Sequence, residues 1–203
     1  MAYRGNRSFR LSPVVILIII NFLFFIATLL SQELIILLGL QQAALLARPW
    51  GIVTNLFIHS GFGHIIGNMV TLYFFGTYLS GLVGAGRFLI VYFGGGILGN
   101  ILFLVLAPPL SIAVGASGAI FALGGALAVM RPRVKVFVFP IPAPLPLWAA
   151  VIGGFLILSL LPILSLLPNI AWQAHLGGLV FGLVAGYFLR RRERYSITRN
   201  WGP

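Results

Sequence analysis

Few residues in this chain have side chains that do chemistry, so they can be considered one by one. Ser117 stands in Val114-Gly115-Ala116-Ser117-Gly118-Ala119, between glycines and at the head of an apolar run that reaches Met130. Such a run reads as a buried helix with the serine in its first turn. The first backbone N–H groups of a helix lack internal partners and carry partial positive charge. A hydroxyl placed there suits attack on a carbonyl, because N–H donors are at hand for the developing oxyanion. Packing is the competing reading, since small-Ser-small patterns also let membrane helices approach closely. The other polar residues that bear on the choice are His64, Asn68 and His175. A serine within reach of a histidine makes a nucleophile–base pair.

The composition says where these residues must work. Of 203 residues, 60% are hydrophobic and 7% are charged. A soluble domain carries about a quarter charged residues, so the chain reads as an integral membrane protein. Glu33 and Glu193 are its only acids, and it has no cysteine. Disulfides, thiol catalysis and cysteine-ligated metals are therefore excluded. The absence of aspartate excludes an aspartyl protease, and no HExxH is present, which disfavours a metalloprotease. The expectation is a site with no metal and no cofactor. The net charge of +11 sits in short clusters beside apolar runs, which is how membrane topology is encoded. It reads as orientation plus attraction to anionic lipid headgroups, and not as nucleic-acid binding.

Six apolar stretches must position the site. They are expected at Pro13–Leu30, His64–Val83, Phe88–Ala107, Ser117–Met130, Leu147–Leu161 and Trp172–Leu189. The first is long for a signal peptide and lacks a clean cleavage site, so it reads as an uncleaved span. Between the first two lies Glu33–Ala47, apolar but broken by Gln41 and Gln42, which reads as a loop or a half-embedded segment, with Trp50 at interfacial depth. Phe139–Pro146 alternates proline and reads as an extended loop. Six spans put both termini on one side, together with Arg4, Arg7, Arg10, Arg87, Arg131, Arg133, Lys135 and the tail arginines. Only Arg48 falls on the other side, so the positive-inside rule makes the crowded side cytoplasmic. The expected organisation is a cytoplasmic segment at 1–12, a six-helix membrane domain at 13–190 and a polar cytoplasmic tail at 191–203. The fold class is thus an all-α membrane bundle.

This topology has a consequence for the site. Spans two, four and six all run from outside to inside, so their first turns share one depth. Those turns hold His64 and Asn68, then Ser117, then His175. His64 and Asn68 are four apart and share a helix face. Polar groups in a bilayer are costly and face the protein interior. A Ser-His arrangement usually has a carboxylate to orient the histidine, but Glu33 and Glu193 lie elsewhere. A catalytic pair must therefore be a dyad, with the histidine oriented by packing. His64, Asn68 and the Ser117 N–H are the candidate oxyanion donors. Gly178, Gly182 and Gly186 repeat every four residues, as do Gly118, Ala122 and Ala126, so the fourth and sixth spans can approach closely.

These residues resemble the motifs of a known family. Gly115-Ala116-Ser117-Gly118 matches the GxSG of rhomboid intramembrane serine proteases. Ala174-His175-Leu176-Gly177-Gly178, followed by Gly182, resembles their AHxxGxxxG, and His64-Ile65-Ile66-Gly67-Asn68 resembles their HxxxN. His59 resembles the histidine five residues before that motif. The resemblance runs from about Pro13 to Arg190 and implies a minimal six-helix rhomboid core. It implies Ser117 as nucleophile, His175 as general base, His64, Asn68 and the Ser117 amide lining the oxyanion hole, and His59 as a structural hydrogen-bonding residue. Two positions depart from the family pattern. Phe121 stands where members often have a tyrosine, keeping the ring but losing a hydroxyl, and Gly51 follows Trp50 where many have arginine.

The expected partners are transmembrane-helix substrate proteins and the lipid bilayer. Two rivals remain at this point: a catalytically inactive rhomboid-like protein that binds transmembrane helices, and a small channel or transporter using the same polar residues. The lack of any carboxylate in a span weakens the latter. The expected location is a prokaryotic plasma membrane. The acid-free, arginine-rich beginning is also readable as an organellar presequence.

Overall fold

The computed structural model describes residues 11–138, 141–164 and 170–200, with the side chains at 160, 162–163 and 193–200 left aside. Helices dominate. The first, α1, runs Pro13–Leu30, as the hydropathy predicts. Ser12 caps it by accepting the Val15 N–H at 3.3 Å, and Pro13 fills the first position, where no backbone donor is needed.

The segment from Glu33 to Phe57 is more ordered than its sequence suggests. It holds α2 (Glu33–Leu38), β1 (Leu40–Gln41), a 3₁₀ turn at Gln42–Ala44, α3 (Gly51–Thr54) and a second 3₁₀ turn at Asn55–Phe57. Its backbone is fastened by side chains. Arg48 donates to the Ile36 carbonyl and to Gln41 Oε1, while Gln41 donates to the Leu110 carbonyl at 2.9 Å. Thr54 donates to the Leu38 carbonyl at 2.6 Å and Trp50 to that of Leu37 at 2.8 Å. Strand β1 also pairs antiparallel with β2 (Ile112–Ala113), which precedes the serine loop. Gln41, one of the two glutamines that break the apolar pattern, is thus a fastener.

Next come α4 (Phe62–Val83) and α5 (Ala85–Leu106). The turn between them is a single residue, Gly84 at φ +83°, and not the Gly84–Arg87 stretch the sequence suggests. Pro108-Pro109 follow the end of α5, where proline cannot continue a helix. Helix α6 spans Ser117–Met130, as predicted. The proline-rich segment after it closes as a hairpin, β3 (Lys135–Val136) against β4 (Leu145–Pro146). Helix α7 (Leu147–Ile163) takes Pro162 into its last turn, where the sequence suggests a boundary. Helix α8 runs Trp172–Asn200, so the expected polar tail continues the last helix over most of its length.

Among the described residues, four helices are long and apolar enough to cross a membrane: α1, α4, α5 and Trp172–Arg192 of α8. Helix α6 has 14 residues, and at about 1.5 Å per residue it is roughly 21 Å long against a hydrocarbon core of about 30 Å. It sits in the middle of the bundle. Eleven of its residues are buried, from Gly118 to Met130, and α4, α5, α7 and α8 all pack on it. The main hydrophobic core runs along it, with Leu72, Phe88, Tyr92, Leu123 and Leu127 fully enclosed. A helix shielded by others on every side need not match the lipid thickness.

Candidate active site

Ser117 is the first residue of α6 and His175 the fourth of α8. Ser117 Oγ and His175 Nε2 lie 2.8 Å apart, a full hydrogen bond across two helices. The close approach of the two backbones makes this possible. A Cβ added at Gly178 would strike the Gly118 carbonyl, one at Gly182 the Ala122 carbonyl, and one at Gly186 would come within 2.7 Å of the Ala126 carbonyl. The two small-residue faces read from the sequence therefore meet pairwise, in register, over three turns. Ser117 adjoins the first of these contacts, and His175 lies one turn before it.

His175 is 4% exposed. To accept the serine proton at Nε2 it must carry its own proton on Nδ1. That atom is buried and makes no hydrogen bond to the protein. No carboxylate orients the ring: Glu33 belongs to α2, and Glu193 lies 18 residues along α8, roughly 27 Å away at helical rise. Packing does the orienting. The Phe121 ring, one turn after Ser117, lies 4.8 Å from the imidazole centroid at a 38° tilt. Phe155 of α7 holds Phe121 edge-on at 5.9 Å. The ring that stands in place of tyrosine keeps its contact with the histidine.

On the other side of Ser117 the loop is shaped by Gly115, at φ +115°, a conformation that side chains rarely adopt. A Cβ there would also come within 2.6 Å of His64 Nε2, so the glycine lets the imidazole lie against the serine loop. His64 Nδ1 is 3.1 Å from Ser60 Oγ. When Ser60 donates in this pair, His64 Nε2 carries the hydrogen and faces the loop as a donor. Asn68, one turn on, gives one amide hydrogen to the His64 carbonyl at 2.8 Å and keeps the other. Two of the predicted donors thus stand on one face of α4, with His64 in contact with the serine loop.

His59 is 1% exposed and bonds to no other side chain; its polar neighbour is the Phe57 backbone. Its contact with the site is ring to ring, edge-on to His64 at 5.0 Å. Burial, aided by the neighbouring His64, pushes its pKa down to about 3, so it is neutral at physiological pH. Gly51, the second departure from the family pattern, faces the Gly39 carbonyl so closely that a Cβ would come within 2.8 Å of it. The guanidinium that ties this segment comes from Arg48 instead. Among the described residues no group of three or more His or acidic side chains is placed to hold a metal.

The sequence reading missed Ser60, Asn55 and Asn100. A serine in a glycine-rich turn carries no signal of its own. Asn100 did carry one, because an amide in the middle of an apolar span needs a partner.

Comparison with known proteins places the chain in a family. The Rhomboid domain family matches residues 46–192, which include every site residue named above. The chain is 32% identical over 161 residues to Rhomboid protease GluP of Bacillus subtilis, covering 76% of this chain and 29% of that protein. It is 27% identical over 193 residues to the mitochondrial Rhomboid protein 1 of Saccharomyces cerevisiae, covering 80% of this chain and 51% of the relative. It is 31% identical over 152 residues to RHOMBOID-like protein 1 of Arabidopsis thaliana, covering 72% of this chain and 36% of the relative. The chain thus spans about half or less of the length of these curated relatives. With the family's domain matched over 46–192 and the serine, histidine and glycine motifs inside that stretch, the chain is a member of the rhomboid family.

Proposed function

We propose that this protein is an intramembrane serine protease that cuts membrane proteins in or near their transmembrane helices through a Ser117–His175 dyad. The observation that carries this reading is the 2.8 Å contact between Ser117 Oγ and His175 Nε2. Ser117 Oγ attacks the scissile carbonyl carbon while its proton passes to His175 Nε2. The carbonyl oxygen becomes an oxyanion, held by the Ser117 N–H, His64 Nε2–H and the free amide hydrogen of Asn68. Collapse breaks the C–N bond, and His175 returns the proton to the leaving amine. Water then attacks the acyl-enzyme, loses its proton to His175, and releases the acid as Ser117 is reprotonated. Phe121 keeps the imidazole in place throughout.

The membrane setting completes the reading. All six apolar helices cross, the short α6 enclosed by the others and α7 on the outside of the bundle, and both termini face the cytoplasm. The residues from 13 to 190 form the membrane domain, flanked by the basic cytoplasmic segments. The partners are the bilayer and substrates with a transmembrane helix, and the location is a prokaryotic plasma membrane. The test is to reconstitute the protein with a single-span substrate. Wild-type protein yields two fragments and Ser117→Ala yields none; fragments of equal yield from Ser117→Ala overturn the assignment.

A further inference from the structure

The middle of α5 touches both halves of the dyad's support without contributing to the dyad. A Cβ at Gly99 would strike the Ala174 carbonyl, beside His175, and one at Gly177 would come within 2.7 Å of the Gly99 Cα. One residue on, Asn100 is 2% exposed and pairs with Asn55, itself 2% exposed. The pairing is reciprocal: Asn55 Nδ2 donates to Asn100 Oδ1 at 2.9 Å, and Asn100 Nδ2 to Asn55 Oδ1 at 2.8 Å. Asn100 Nδ2 also donates to the Ile52 carbonyl at 2.7 Å. The Asn55 carbonyl in turn accepts the Gly115 N–H at 2.9 Å. An unbroken path therefore links α5 to the turn that carries Ser117.

We propose that the Asn55–Asn100 amide pair is a positioning device that fixes the Gly115–Ser117 turn relative to His175. The proposal rests on the proteolytic reading of that dyad. Two buried amides in an apolar bundle satisfy each other's donors and acceptors, and such a pair admits one geometry. The start of α8 is seated on Gly99 by backbone contact. The serine turn is seated on Asn100 through Asn55. A single short stretch of α5 thus sets the separation between nucleophile and base. Loss of either amide leaves the other buried and unsatisfied, and frees the Asn55–Phe57 turn to shift, carrying Gly115 with it.

The test compares wild type with Asn55→Ala, Asn100→Ala and the double variant, reconstituted in liposomes. The rate of Ser117 labelling by a fluorophosphonate, kcat and KM for a single-span substrate, and the thermal midpoint are all measured. Each single variant is expected to lose roughly ten- to a hundredfold in labelling rate and kcat, as small misplacements of reacting groups do. KM should stay near the wild-type value. The double variant should be no slower than the slower single one, because the two residues act as one device. Asn100→Asp, which keeps the pair's shape and can share a proton with Asn55 when neutral, should recover labelling as the pH is lowered. It also serves where an alanine variant fails to fold. Wild-type labelling rates in a folded variant, or losses that multiply in the double variant, overturn the proposal while leaving the protease reading intact. Wild-type protein that neither labels nor cuts overturns both.

Discussion

Each polar side chain around Ser117 makes its own prediction. His64 Nε2 lies against the serine loop, and Asn68 has one amide hydrogen to spare. Removing one oxyanion donor costs about 100- to 1,000-fold in kcat when others remain. His64→Ala is therefore expected to lose that much turnover with the Ser117–His175 contact intact. Asn68→Ala should lose less, since half of its amide is tied to its own helix. Equal turnover in both variants and wild type, measured with a fluorogenic peptide, would make these residues structural. Phe121→Ala removes the ring beside the imidazole, and such contacts are worth about 0.5–1.5 kcal/mol, so a several-fold loss is expected. Phe121→Tyr keeps the ring and should keep the activity. His59 gives a pH signature. Its folded pKa of about 3 lies below the unfolded value of 6.5, so the folded state disfavours the charged ring. The stability this represents is complete above pH 6.5 and is lost as the pH falls toward 3. The thermal midpoint should thus drop between pH 7 and pH 4, and His59→Leu should flatten the slope; an unchanged slope counts against it.

At the scale of helices, what the sequence revealed depended on how local the signal was. The ends of α1 and α6 were readable because a proline, a serine and a glycine mark them within a few residues. The matching glycine faces of α6 and α8 were readable as two periodic patterns, and they meet as that spacing implies. The loop between α1 and α4 was not readable, because its order comes from single hydrogen bonds to distant partners, such as Gln41 to Leu110. The Asn55–Asn100 pair was hidden for the same reason, spanning 45 residues. The candidate site was legible because three motifs mark Ser117, His175, and His64 with Asn68, while Ser60 announces nothing. The α6–α8 seam yields a further prediction. Overpacking a tight interface costs about 1–3 kcal/mol or more. Gly182→Ala should therefore lower the thermal midpoint and the cutting rate together, as the Ala122 carbonyl is pushed away. Gly67→Ala is the control, because nothing lies within 4 Å of a Cβ there; it should leave both unchanged. A Gly182→Ala protein as stable as wild type would mean that the helices are not in van der Waals contact.

Among the described residues, Arg190 and the reactive side chains occupy opposite ends of the bundle, with Arg48 at the reactive end. Arg190 of α8 donates to the Val129 carbonyl at 3.1 Å, joining α8 to the last turn of α6 far from the site. Arg48 and the Gln41–Leu110 contact lie at the serine end. If the arginine-rich end is cytoplasmic, Ser117 lies near the outer face. The scissile carbonyl and the hydrolytic water must both reach it there. A substrate helix must also unwind, which glycine and proline ease by about 1 and 3 kcal/mol relative to alanine. Cleavage is therefore expected in the outer third of the substrate span or just outside it, ahead of a helix-weakening residue. Mass spectrometry of the fragments locates the cut, and a cut at mid-bilayer would contradict the depth assigned to Ser117. Cutting should also persist in strong chelators, since a Ser-His mechanism needs no metal.

The most direct measurement of the dyad is site-mapped labelling by a fluorophosphonate, which reacts only with an activated serine. The wild-type protein, folded in liposomes, should take up one equivalent at Ser117, identified by peptide mass spectrometry. His175→Ala, with the same thermal midpoint, should take up none, because the group 2.8 Å from Ser117 Oγ that removes its proton is gone. Equal labelling of Ser117 in wild type and His175→Ala, or no labelling of folded wild type, would contradict a Ser117–His175 dyad.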